Sequence, residues 1–317
     1  MKIGIDIMGG DYAPEAILKG AILARTKLDA EDRLFLFGNE DQMKKRIAEL
    51  NSNPADFVLI DSKDVIEMGD DPVKSFKEKQ DASLVKGFLY LKNDLIDGFA
   101  SAGNTGSMLV GATTVIGVVD GIIRPCISCY YPNKSGKNSL ILDVGINADA
   151  KPEVLYQYAL VGNLYAKHIM GIENPKVGLL NIGSEESKGN TNTKLTYQLM
   201  KGTKDFNFIG NVEGIDLYKD DIVDVIITDG FTGNIVLKHT ESFYEIVKER
   251  HISDAYFDNY NYENYGGTPV LGINKTVVVG HGVSNEIAIC NMILLTKEIG
   301  KSKLSEKITK LFSYGTS

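Results

Sequence analysis

Two hydrophobic periods alternate along this chain. Lys2 to Met8 alternates and then runs apolar, as a strand does. It stops at Met8-Gly9-Gly10-Asp11, and Pro14 suits the first turn of a helix reaching about Lys27. Arg33 to Phe37 is a second strand closed by Gly38-Asn39, Glu40 to Leu50 an amphipathic helix, and Phe57 to Ile60 a third strand. This βαβαβ order predicts a parallel sheet with helices on both faces. A charged stretch from Asp70 to Lys79 leads into a helix over Ala82 to Lys92, and a short apolar run from Ile96 to Ala100 follows. The turn Ser101-Ala102-Gly103-Asn104-Thr105-Gly106-Ser107 then opens a helix over Met108 to Val119.

The second half repeats the pattern. Strands are expected around Ile127, at Leu140 to Leu142, Val177 to Leu180, Phe206 to Ile209, Val223 to Thr228 and Val277 to Val279. Helices are expected from Lys151-Pro152 to His168, from Ile235 to Arg250, and from an N-cap at Ser284 to about Glu298, with an amphipathic tail over Lys301 to Phe312. Ser253 to Tyr265, rich in Tyr, Asn and Asp, reads as an irregular connector, and Tyr265-Gly266-Gly267 as a glycine turn. No linker divides the chain, so residues 1–317 read as a single α/β domain.

Strand after strand ends in glycine beside Asp, Asn, Glu or Lys. In a parallel sheet such turns line the C-terminal edge, where ligands bind. At Ser101 to Ser107 the glycines allow close backbone approach, and the helix behind them offers unpaired N–H groups and partial positive charge. That is an anion site, with phosphate the commonest occupant. A plain strand-to-helix turn capped by Asn104 or Thr105 explains the same residues.

Charge narrows the partners. Lys and Arg number 34 against 42 Asp and Glu, for a net charge of −8, which argues against a dedicated nucleic-acid binder. No apolar run approaches the roughly 20 residues of a membrane helix, and the first residues read as a strand rather than a leader. Three cysteines do not make a disulfide framework, so a reducing cytoplasm is the simplest compartment. Cys126 and Cys129 form a C-x-x-C, but in a strand-like stretch without the histidines or second pair of a zinc site. They read as ordinary core cysteines, with no metal implied.

Taken together, the turns resemble those of the bacterial PlsX-type phosphate acyltransferases, the acyl-acyl carrier protein:phosphate transacylases. The matching stretches are Met8-Gly9-Gly10-Asp11, Ser101 to Gly106, Leu142-Asp143-Val144-Gly145 and Lys151-Pro152-Glu153. They continue through Val177 to Gly183, Glu185-Glu186, Lys188-Gly189-Asn190, Phe208 to Gly214, Asp229 to Asn234, Tyr265-Gly266-Gly267 and His281-Gly282. The resemblance covers nearly the whole chain in order. It implies a Rossmann-like three-layer α/β/α sandwich with a mostly parallel sheet, similar to isopropylmalate dehydrogenases and phosphotransacetylases, and a homodimer. It also implies the reaction: inorganic phosphate attacks a fatty acyl-acyl carrier protein thioester, giving an acyl phosphate that a membrane glycerol-phosphate acyltransferase uses in phospholipid biosynthesis. No cofactor is implied.

Carried onto this sequence, the resemblance points to Lys188, Asp229 and His281 for catalysis. It points to Asp11, Ser101, Gly103, Asn104, Thr105, Gly106, Asp143, Asn181, Asn190, Asn211, Glu213 and Asn234 for phosphate and substrate. Lys188 would neutralise phosphate or oxyanion. His281 would protonate the departing thiolate, donate a hydrogen bond or only shape its turn. Asp229 would orient one of these, or sit at a helix start on the macrodipole. The acidic carrier protein requires a local basic patch; Lys74, Lys77 and Lys79, or Lys297, Lys301, Lys303, Lys307 and Lys310, are the candidates. Two departures stand out. The arm between the Asp229 and Tyr265 motifs is short, at about 235–264, which bears on the peripheral membrane association that this arm supports in some members. Ala150 stands where cysteine is common. Two other readings share the scaffold: a nicotinamide-dependent decarboxylating dehydrogenase, for which arginines near strand ends are few, and a non-catalytic sensor of phosphate or carrier protein.

Overall fold

The structure is a computed structural model and describes residues 1–313. The chain begins with β1 (Lys2–Asp6), α1 (Glu15–Lys27), β2 (Arg33–Gly38), α2 (Glu40–Glu49) and β3 (Val58–Asp61). It continues with α3 (Pro72–Glu78), α4 (Ser83–Lys92), β4 (Gly98–Ser101) and α5 (Thr105–Val110), which runs on as a π-helix over Gly111–Ile116. Next are β5 (Cys126–Pro132), β6 (Asn138–Leu142), α6 (Pro152–His168), β7 (Lys176–Leu180), α7 (Thr191–Met200), β8 (Asn207–Val212) and β9 (Val225–Ile227). Last come α8 (Gly230–Glu249), α9 (Ala255–Asp258), β10 (Thr268–Leu271), β11 (Thr276–Val279), α10 (Glu286–Ser302) and α11 (Leu304–Ser313).

The α/β class and most strands match the sequence reading; several helix starts do not. Asn104, Asn190, Asp229 and Asn285 each cap a helix by accepting a first-turn amide. So α5 begins three residues before the expected Met108, and α8 begins at Gly230 rather than Ile235. The cap of α10 is Asn285, not Ser284, whose hydroxyl donates to the His281 carbonyl instead. Helix α7 and strand β10 were not anticipated. The connector after α8 contains one helical turn, α9, and a 3-10 turn at Tyr262–Asn264.

Contacts group the chain into two compact units, Met1–Val118 with Tyr262–Ser305, and Val119–Asn261 with the segment from Glu306. In the first unit the strand order is β3-β2-β1-β4-β11-β10; all neighbours are parallel except β10, which runs antiparallel to β11. Ile5 pairs with Ala100, and Ala100 with Val278, so β1, β4 and β11 end at one level. Helices cover both faces. On one, Phe99 meets Phe88 of α4 at 5.1 Å between ring centres. Its neighbour Gly98 faces the other way, where a Cβ would stand 2.8 Å from Thr296 of α10.

In the second unit the order is β5-β6-β9-β7-β8, with β5 antiparallel to β6 and the rest parallel. Leu142 pairs with Ile227, and Ile227 with Leu179, so β6, β9 and β7 also end at one level. Helix α6 packs on β6 and β9, and α7 on α6 and β8. Among the described residues no helix is long and apolar enough to cross a membrane.

Candidate active site

The expected site residues fall into two strand-end clusters, one in each unit. In the first unit the cluster is built on Asp6, which ends β1 and is 2% exposed. Its Oδ1 accepts from the Met8 amide at 3.0 Å and its Oδ2 from the Ser101 hydroxyl at 2.7 Å. The Ser101 oxygen in turn accepts from the Gly103 amide at 2.9 Å. Burial pushes the Asp6 carboxyl up from its ordinary value, against hydrogen bonds from Ser83, Ser101, Met8 and Gly9.

Two further bonds bring in the turn after β11. The Gly280 amide donates to the Ser101 carbonyl, and the Asp11 amide to the Gly282 carbonyl, both at 2.8 Å. Gly9 is required at its place: a Cβ there would lie 2.5 Å from Asp6 Oδ2, 2.7 Å from Ser101 Oγ and 2.8 Å from the Gly103 nitrogen. Gly10 has φ +111°, which a side chain would strain. The Asp11 side chain is exposed beside Gly282.

Asn104 is occupied on both ends of its amide. Its oxygen caps α5 through the Ser107 amide at 2.9 Å, and its nitrogen donates to the carbonyls of Glu67, Met68 and Asp70 at 3.0–3.2 Å. The cap role is therefore the one its side chain fills. The amides of Thr105 and Gly106 follow it in the first turn of α5 and take no acceptor from the protein among the described residues. His281 is exposed and lies against Tyr262, ring centres 5.2 Å apart and planes tilted by 34°. The Tyr262 hydroxyl donates to the Val283 carbonyl at 3.0 Å, which fixes the ring under the imidazole.

In the second unit Asp143 follows β6 and is fully buried. Its carboxylate accepts from the amides of Gly145 at 3.2 Å, Ile146 at 3.2 Å and Asn147 at 2.7 Å. Buried like Ser101, it holds the backbone a ligand would meet and presents no side chain of its own. Asn147, which the sequence reading passed over, donates its side-chain amide to Asp143, to the Pro125 carbonyl and to the Tyr158 hydroxyl.

The remaining residues surround the ends of β7, β8 and β9. Asp229 Oδ1 accepts from the Thr232 amide at 2.7 Å and Asn190 Oδ1 from the Thr193 amide at 2.9 Å, so both act as caps. Asn181 donates to the Lys188 carbonyl at 3.3 Å. The Lys188 side chain is exposed over Gly183 and forms no ion pair among the described residues. Asn211 donates to the Glu185 carbonyl at 2.9 Å, while its own buried oxygen has no partner among the described residues. Glu213 is half-buried, and Asn234 is exposed near Gly145. A cavity of about 450 Å³ lies among them, walled by Ala150, Leu155, Leu179 and Val236 and by the polar groups of Asn181, Asn190, Thr193, Thr228 and Asp229.

The candidate basic patches differ in availability. Lys297 and Lys301 are held by Asp29, with Lys297 also on buried Asp32, and Lys79 is held by Asp70. Lys74 and Lys77 project from α3 into solvent. Cys126 and Cys129 lie on β5, and burial pushes both thiols up, the opposite of a reactive pair. Among the described residues no group of three or more His, Cys, Asp or Glu is placed to hold a metal ion.

A family model described as "Fatty acid synthesis protein" matches residues 1–307. The chain is 39% identical over 325 residues to a phosphate acyltransferase of Caldicellulosiruptor saccharolyticus, covering 96% of each. It is 41% identical over 324 residues to one of Staphylococcus haemolyticus, again covering 96% of each. Among solved structures it is similar to the EutD phosphotransacetylase from Staphylococcus aureus, at a TM-score of 0.65 and 17% identity, covering 95% of this chain and 94% of that one.

Proposed function

The chain belongs to the phosphate acyltransferase family, and from that premise we propose that it moves a fatty acyl group from acyl carrier protein to inorganic phosphate. A phosphate oxygen attacks the thioester carbonyl, the tetrahedral oxyanion collapses, and the carrier thiolate leaves as acyl phosphate forms. The observation that carries this reading is the β4–α5 turn. Its cap is satisfied by Asn104 itself, which leaves the Thr105 and Gly106 amides at a positive helix end for an anion.

In this reading His281, in the same unit as that turn, supplies a proton to the thiolate, and Lys188 is a cation for an anionic group of the substrate at the strand ends of its own unit. Lys74 and Lys77, exposed on α3, are the cations we assign to an acidic carrier protein. A homodimer in the cytoplasm, with peripheral membrane association left to the short arm, would pass its acyl phosphate to a membrane glycerol-phosphate acyltransferase for phospholipid synthesis. No part of the sequence calls for a cofactor.

Purified protein given acyl carrier thioester and inorganic phosphate should form an acyl phosphate that hydroxylamine traps as a hydroxamate. Absence of product over a range of chain lengths would overturn the enzyme reading in favour of a sensor. Better turnover with acyl-CoA than with the carrier thioester would move the donor to coenzyme A.

A further inference from the structure

We propose that Asp6 is a positioning residue for phosphate: through Ser101 it fixes the distance between the β1 turn and the β4–α5 turn, and so the direction of the helix amides. The proposal rests on the reading of that turn as the phosphate site.

A carboxylate at the end of a central buried strand is costly, and an apolar residue would pack there at less expense. What Asp6 has in return is a set of donors drawn from the turns. Met8 supplies its amide to one oxygen, and Ser101 supplies its hydroxyl to the other. Ser101 extends the link to the Gly103 amide, one residue before the Asn104 cap. The chain of bonds thus runs from β1 through β4 to the start of α5 without a solvent-exposed member, since Asp6 is 2% exposed and Ser101 0%. Such a relay tolerates little slack.

The glycines show how tight it is. A Cβ on Gly103 would stand 3.1 Å from the Gly9 Cα and 3.0 Å from Ser101 Oγ. The two turns therefore meet backbone to backbone, with the carboxylate behind the contact. Asp6 and Ser101 are buried behind the turns and present no surface to an acyl donor. Its loss should loosen phosphate binding more than it slows the step that follows.

Asp6→Asn and Ser101→Ala test this directly. Asparagine keeps the shape but must turn a donor toward Ser101; alanine removes the hydroxyl and leaves the Met8 bond. Each should raise KM for inorganic phosphate about tenfold, with kcat and KM for the acyl carrier thioester within about twofold. The double variant should be no worse than the worse single one, because both break the same relay. Thermal unfolding of each variant establishes that it is folded, and Ser101→Ala alone decides the matter if Asp6→Asn does not fold. An unchanged phosphate KM in a folded variant, or a fall in kcat that tracks lost stability, would overturn the proposal. A wild-type protein that forms no acyl phosphate would instead remove the reading beneath it.

Discussion

Asn147 is joined to Asp143 twice, its backbone amide donating to Oδ2 at 2.7 Å and its side-chain amide to the same oxygen at 3.1 Å. The side chain also donates to Tyr158, 2.6 Å away and 1% exposed. Replacing Asn147 by Ala would leave a buried carboxylate oxygen and a buried phenol short of a donor, and a cavity beside them. Stability should fall by about 2–4 kcal/mol, read from urea unfolding. A loss below about 1 kcal/mol would mean that water replaces the amide at little cost.

Gly233 packs against the same loop. A Cβ at this position would lie 1.9 Å from the Asp143 carbonyl oxygen, and backbone cannot swing aside as a side chain can. Gly233→Ala should therefore destabilise by roughly 3 kcal/mol or more, or abolish folding. Gly214→Ala is the matched control, with no atom within 4 Å, and should stay within about 0.5 kcal/mol of the parent. Equal stability of the two variants would show that α8 can move away from Asp143.

The strands and their turns were legible because both carry strong local signals: apolar runs for the one, glycine with small polar residues for the other. What hid was cooperative. Helix α7 starts Thr191-Asn192-Thr193, poor helix formers, and forms because Asn190 caps it while Thr196 and Met200 are buried. Helix α8 was begun too late because Gly230 and Gly233 sit in its first turn, where tertiary contact with Asp143 and Asn147 requires them. Pro269 disguised β10 as a turn. In the site, sequence found the turns but not what fixes them. Asp6 read as one more residue of an apolar strand, although an acid inside that run was the signal to follow. Asn147 gave none, since its partners come from Pro125 just before β5 and from α6 as well as from its own loop.

Acid should reveal the contribution of a third buried carboxylate, Asp32. Lys297 lies 2.6 Å from Asp32, whose side chain is fully buried. Burial opposes ionisation of Asp32, yet Lys297, the Met1 ammonium and the Asp29 amide hold its carboxyl down at about 2, below the ordinary 3.8. A lowered value means that the ionised group stabilises the fold above pH 3.8, and that this contribution fades as pH falls through about 2. Its size is roughly 2 kcal/mol. Asp32→Asn should be the less stable protein at neutral pH by at least roughly that amount, with the gap closing toward strong acid. Unfolding curves of both proteins across the acid range give the answer, and a gap that does not narrow would assign the loss to packing instead.

The last expectation concerns the proton for the leaving thiolate. His281 is exposed at the end of β11 and rests on Tyr262, which is itself anchored to the Val283 carbonyl. A ring so supported can hold one orientation at the exposed end of β11. If it protonates the thiolate, its value depends on how basic that thiolate is. An alkyl thioester releases a basic thiolate that gains from a proton; an aryl thioester releases one stable without help. His281→Gln keeps a hydrogen-bonding side chain of similar reach but cannot transfer a proton at neutral pH. Turnover of an alkyl thioester should drop by about 10²-fold, and that of an aryl thioester by no more than a few-fold. Tyr262→Phe, which frees the ring from Val283, should show a weaker form of the same split. An equal loss on both thioesters would identify His281 as a group that binds or shapes its turn, and the proton would then have to come from elsewhere.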